Sequence, residues 1–234
     1  MDNTTLLHEN DIASLSKEKA NRLLWLGRYA ERAYITLHIL RKYHDRMIDE
    51  DEHAYITYCT KMGIENQYTS AADFMNRYLY DHENPDSLFS MLNYANDNAI
   101  VLREEITSET LSYIQMAICH LHNCASQSSD INELQLITDN LLAFWGSIDA
   151  RVANPSLRCV LKAGKLIESI DLHIRFGYSF DKVYQFFSPL GELISKEKSI
   201  FDEETLKRLQ EQMTKIRYKE LATLQSINRL FCAE

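Results

Sequence analysis

Apolar residues recur along almost the whole chain at steps of three and four, the spacing that gathers side chains on one face of an α-helix. The first such run predicts a long helix over Lys17–Asp49, with Leu23, Leu26, Ala30, Ala33, Leu37 and Leu40 inward. The pattern weakens between His53 and Asp81, where one or two short helices around Gly63 are expected. Pro85 is read as opening a helix that carries Leu92, Ala95, Ala99, Leu102 and Ile106 inward, since a first helical turn has no use for the missing N–H. Thr107 or Ser108 caps the next helix, with Glu109 at the positive end of its dipole and Leu111, Ile114, Ile118 and Leu121 buried. After the polar stretch Ser126–Ser129, Asp130 restarts the pattern through Ile131, Leu134, Leu141, Phe144 and Ile148. Asn154-Pro155 marks the next boundary, before Val160, Ile167, Ile170 and Ile174. Ser188-Pro189 is read as a break and restart, and one last helix is expected from Glu203 through Phe231. The sum is an all-α fold: a single multi-helix, mostly antiparallel bundle over 17–234, behind a flexible N-terminus at 1–16.

Composition narrows the field. Six glycines and three prolines in 234 residues are about a third of average usage, too few turn formers for a β-sandwich and too few glycines for a phosphate-cradling loop. Lys and Arg total 25 against 34 Asp and Glu, a formal charge of −9, and no basic cluster marks a nucleic-acid face. No apolar run approaches the ~18–20 residues that span a bilayer. The acidic, polar start is unlike a secretory signal, and five cysteines without a C-x-x-C fit free thiols in a reducing cytoplasm.

An internal repeat carries the chemistry. Shifted by 137 positions, residues 22–41 fall on 159–178 without a gap: Leu24 on Leu161, Gly27 on Gly164, Glu31 on Glu168. The inward positions match in type, Leu23 with Val160, Ala30 with Ile167, Ala33 with Ile170 and Leu37 with Ile174. Gly27, Glu31, Tyr34 and His38 form one narrow stripe beside the apolar face, and Gly164, Glu168, Asp171 and Arg175 form its equivalent. Glycine inside a long helix costs about 1 kcal/mol relative to alanine, which points to a close approach of two helices there. A glutamate one turn on would sit at the packed seam and need a cation or hydrogen-bond donors.

The run Leu24-Trp25-Leu26-Gly27-Arg28-Tyr29-Ala30-Glu31-Arg32-Ala33 resembles the opening signature of the alpha-E domain family, bacterial all-helical proteins with a Glu-Arg motif. Asn96-Asp97-Asn98-Ala99, with Arg103, Glu104, Ile106, Ser108 and Glu109, is similar to that family's central segment, and Ala163-Gly164-Lys165 with Glu168, Asp171 and Arg175 to its second Glu-Arg helix. Ser169 stands where that second pair would have arginine, Tyr34 and His38 replace the polar residue and arginine usual in the first copy, and Leu111 stands where tryptophan is common. The resemblance implies an association with ATP-grasp carboxylate–amine ligase-like and transglutaminase-like proteins, and a role in making or processing an amide-linked molecule or peptide tag. It implies no cofactor.

Gly27, Arg28, Glu31, Arg32, His38, Arg103, Glu104, Glu109, Gly164, Glu168, Asp171 and Arg175 are thus the candidate polar seam. Two readings of it stay open: an ion-pair network that fixes helix register, and a pocket where carboxylates and arginines hold an amino or carboxyl substrate, with one carboxylate as general base. A ferritin-like di-metal site is excluded, because the required pair of Glu-x-x-His motifs is missing. Cys119-His120-Leu121-His122-Asn123-Cys124 places its thiols and imidazoles in different directions on one helix, which no single tetrahedral zinc can gather. The sequence leaves three functions in play: an accessory protein that binds an ATP-grasp ligase-like or transglutaminase-like partner, a stand-alone enzyme working through Glu31, Glu168 and Asp171, and a structural homo-oligomer. An enzyme should open a charged cleft at Glu31 and Glu168; an accessory protein should close it and expose apolar surface elsewhere.

Overall fold

A computed structural model describes residues 15–127, 131–197, 200–214 and 219–231. Its long helix α1 (Lys17–Asp49) runs through the middle of the molecule. Ser16 accepts a hydrogen bond from the Lys19 N–H at 3.3 Å and caps it, and Glu18 sits in the first turn. All six residues expected inward are buried, none more than 1% exposed. Two short helices follow, α2 (Ala54–Met62) and α3 (Ala71–Tyr80). The first stops at Gly63, whose φ of 77° is a left-handed cap that a side chain would strain. Helix α4 (Leu88–Val101) begins three residues after Pro85, not at it. Ser87 is the better start, because its hydroxyl can accept the Ser90 N–H, at 3.0 Å, where proline has nothing to offer.

A single turn α5 (Arg103–Ile106) leads into α6 (Ser108–Gln127), whose start Thr107 caps as expected by accepting from the Thr110 N–H. Asp130, read as the restart of the pattern, lies outside the described residues, as do positions 128 and 129 and the N-terminal residues 1–14. A 3-10 turn at Ile131–Leu134 opens into α7 (Gln135–Arg151). Asn154 and Pro155 then cap and open α8 (Pro155–Arg175), the helix that holds the second repeat.

The C-terminal part departs from expectation twice. Helix α9 (Phe180–Lys196) runs straight through Pro189. Gln185, four residues earlier, is exposed, so the carbonyl that loses its donor is on the solvent side of the helix and water can serve it. The single last helix is two, α10 (Glu203–Gln212) and α11 (Glu220–Ile227). They fold back on each other and are closed by an antiparallel bridge between Phe201 and Phe231. Folding back buries Leu209, Met213, Ile227 and Leu230 together, which one straight helix could not do.

Two neighbouring pairs run antiparallel, α1 with α4 and α8 with α9, where Cys159 meets the Leu193 carbonyl at the far end. Tyr29 meets Tyr94 and Thr36 meets Met91 across α1 and α4, and His173 meets Phe186 across α8 and α9. The central pair is the exception. From Leu24 against Gly164, through Arg28 against Glu168, to Lys42 against Tyr178, α1 and α8 ascend together, so they lie parallel. The six helices α2–α7 supply the return crossing that a parallel pair demands. A parallel pair in equal register is related by a two-fold axis along its length, so each copy of the repeat faces the other's equivalent residues.

Candidate functional site

The two glycines set the distance between α1 and α8. A Cβ on Gly27 would stand 2.1 Å from the Leu161 carbonyl oxygen, and one on Gly164 2.2 Å from that of Leu24. Since Leu161 and Leu24 are themselves repeat equivalents, the contact is reciprocal. Any larger residue would drive the backbones apart and with them everything one turn further along.

One turn further along are the acids. Glu168 is completely buried and both its oxygens are taken: Arg28 Nε donates to Oε2 at 2.8 Å and Arg32 Nε to Oε1 at 2.5 Å. Burial pulls the Arg32 guanidinium down, but the Glu168 charge and hydrogen bond outweigh it and hold the group above its ordinary value. Glu31 sees the two-fold-related surroundings with weaker residues. Lys165, the equivalent of Arg28, brings Nζ to 3.8 Å from Oε2, and Ser169, the equivalent of Arg32, donates its hydroxyl to Oε1 at 2.7 Å. Among the described residues Oε2 has no hydrogen-bond partner, although Glu31 is only 4% exposed. Burial therefore raises its pKa above the usual carboxylate value, with Lys165, Ser169 and the nearby Trp145 indole too weak to cancel it and the Glu168 charge adding to it. Trp145 lies under the Lys165 ammonium, 4.3 Å from ring centroid to Nζ.

The seam continues toward the C-terminal end of α8. Asp171 is buried and takes an ion pair from Arg175 one turn on, whose Nη1 also donates to the Met62 carbonyl at 3.4 Å. Asn228, just past the end of α11, joins the two halves: Arg28 Nη2 donates to its Oδ1 at 2.8 Å, and its Nδ2 donates to Asp171 at 2.7 Å. Three buried carboxylates and four cations thus form one line along the seam; Arg28 is buried with the acids, whereas Arg32, Lys165 and Arg175 are partly exposed.

Eight of the twelve sequence candidates belong to this line: Gly27, Arg28, Glu31, Arg32, Gly164, Glu168, Asp171 and Arg175. Four do not. His38 is exposed, edge-on to Tyr34 at 4.6 Å, with its pKa lowered by partial burial and by Arg41 and Lys42. Arg103 and Glu104 are exposed and pair with each other at 3.2 Å, and Glu109 is exposed in the first turn of α6, where backbone and Thr107 hydrogen bonds lower its pKa. These three sit near one another in sequence, but α5 and the start of α6 turn them to solvent. Sequence reasoning missed Lys165 and Ser169 as partners of Glu31, and missed Asn228 and Trp145 altogether. The 137-residue offset itself holds the signal for the first two, because it places them opposite Arg28 and Arg32; the others lie outside the repeat.

Both seam glutamates are buried, and neither lines a groove described among these residues. The groove of about 440 Å³ between α1, α3 and the end of α6 lies elsewhere, lined by His44, Met75, Leu79, Tyr80, Cys124 and Leu134. Among the described residues no three His, Cys, Asp or Glu side chains converge as a metal site would require, and no helix is long and apolar enough to cross a membrane. Comparison with curated proteins and with solved structures returns no match. The family model of Alpha-E, described as a predicted alpha-helical domain with a conserved ER motif, matches residues 15–183. Glu31-Arg32, whose acid and base reach Ser169 and Glu168 across the seam, is the Glu-Arg pair of this chain, which belongs to the Alpha-E family.

Proposed function

We propose that this Alpha-E protein is a non-catalytic, partner-binding component of an ATP-grasp-type amide-ligase or peptide-modification system, working in the cytoplasm. The observation that carries the reading is the closure of the seam. Glu168 has no exposed surface and no free oxygen, so the Glu-Arg network can hold two helices in register but cannot reach a substrate. Apolar side chains stand in solvent instead, among them Ile100 and Val101 at the end of α4 and Leu136 and Leu142 on α7. We place the docking contacts at these side chains, where a partner would remove apolar surface from water.

The test is size-exclusion chromatography of the purified chain with purified ATP-grasp ligase-like and transglutaminase-like proteins encoded beside it. The reading expects one stable complex, lost when Ile100 and Val101, or Leu136 and Leu142, are changed to Ser. It is overturned if no complex forms and the isolated chain turns over an amide substrate with a rate that Glu168→Gln abolishes. One observation favours that enzyme reading, the unpartnered Oε2 of Glu31 with its raised pKa, as a general base requires. Its 4% exposure stands against it.

A further inference from the structure

We infer that Arg28 and Asp171 form a binding site for a primary carboxamide, which Asn228 occupies in cis. A guanidinium can only donate and a carboxylate can only accept, so the two groups side by side read a ligand that offers one acceptor and one N–H. A carboxamide does this. A carboxylate ligand would meet repulsion at Asp171, and an ammonium would meet it at Arg28. The Asn228 side chain makes the complete set of bonds: Oδ1 accepts from Arg28 Nη2 at 2.8 Å, and Nδ2 donates to Asp171 Oδ1 at 2.7 Å and to the Leu224 carbonyl at 2.9 Å. With both N–H groups used, a primary amide makes all three bonds where a secondary amide could make two.

The reading pair is built before any ligand arrives. Arg28 is held through Nε by Glu168, and Asp171 through Oδ2 by Arg175, so each group presents one fixed edge. Arg28 is 8% exposed and Asp171 1% exposed, yet the residue that bridges them is at the surface. A buried charged pair roofed by one exposed side chain is open to exchange once that side chain swings away. Nor is the pair a by-product of the repeat. The equivalent positions in the other copy are Lys165 and Tyr34, an ammonium and a phenol. Arg28 and Asp171 lie inside the stretch that matches the family, whereas α11 and Asn228 lie beyond residue 183. The C-terminal unit therefore supplies the occupant of a site made by α1 and α8.

The same chemistry belongs to free glutamine and to a glutamine side chain in a peptide. Isothermal titration of wild type and Asn228→Ala with L-glutamine, acetyl-Gly-Gln-Gly N-methylamide and its Gly-Glu-Gly counterpart separates them. Saturable binding of L-glutamine or of the glutamine peptide by Asn228→Ala is expected, at least about tenfold tighter than to wild type, with the glutamate peptide not bound. The ligand that binds identifies the source. The inference is overturned if folded Asn228→Ala binds neither amide at millimolar concentration, if it binds glutamine and glutamate peptides alike, or if wild type binds as tightly. Should Asn228→Ala fail to fold, Asn228→Ser is titrated, and the side-chain NH₂ resonances of Asn228 in wild type must shift on addition of the amide; unmoved resonances overturn the inference. It does not rest on the partner reading: a missing ligase partner leaves amide binding intact, and absent amide binding leaves the partner reading intact.

Discussion

Replacing Glu168 by Gln keeps the volume of the side chain and removes the charge that two arginines share. Breaking one side of a buried ion pair costs about 3–5 kcal/mol, because the partner charge is left buried and alone. Two features of the seam set the value at the low end. Gln Oε1 still accepts one hydrogen bond, and Arg32, with 29% of its side chain exposed, recovers some hydration. Arg28 does not: its side chain is 9% exposed, and among the described residues Asn228 and the face of Trp25, 4.8 Å away, remain to it. The expected loss is thus about 3 kcal/mol. For a domain of this size each kcal/mol moves the melting temperature by about 2–4 °C, which gives a fall of about 6–12 °C. Urea denaturation followed by circular dichroism measures it directly, provided the slope matches wild type. A loss below about 1 kcal/mol, the range of exposed pairs, would refute the reasoning and make the network decorative.

Glu31→Gln should behave oppositely, although the two acids are repeat equivalents. Because burial raises the Glu31 pKa above its ordinary 4.5, the folded chain holds the proton more tightly than the unfolded chain. The contribution of Glu31 to stability is therefore fully present below pH 4.5 and is lost as pH rises through the elevated folded value. Wild type and Glu31→Gln should match in acid, with the variant gaining relative stability toward neutral pH; a constant difference across the range would contradict this. Gly27→Ala and Gly164→Ala should each lose about 1–3 kcal/mol or more, since the clash is with backbone and overrides the helix preference of alanine. Gly146→Ala and Gly191→Ala, where an added Cβ meets nothing within 4 Å, should instead gain about 0.5–1 kcal/mol. Melting curves of the four variants decide it, and equal shifts in all four would remove the special standing of the central contact.

Much of this arrangement is legible in the order of residues alone. A glycine four residues before a glutamate, twice, at one offset, announces both the close crossing and the acids beside it. The inward positions of α1 follow from its period, and its ends from Ser16 and the acidic run after Asp49. The parallel direction of α1 and α8 is less visible, because it depends on how the six intervening helices return the chain. The two halves of α10–α11 read as one helix because the apolar spacing continues across Met213; only the gain from burying both apolar stripes together breaks it. Motif alone groups Arg103, Glu104 and Glu109 with the seam, but helical phase turns them away from it. Asn228 has no sequence signal: a single asparagine after a short amphipathic helix is ordinary until the fold lays it across Arg28 and Asp171.

The central claim is that α1 and α8 lie side by side with their charges interlocked. A double-mutant cycle of Arg28→Gln and Glu168→Gln in urea tests it most directly. A coupling energy of about 1.5 kcal/mol or more is expected, as groups in direct contact show. Effects that simply add to within about 0.5 kcal/mol would place the two residues apart and contradict it.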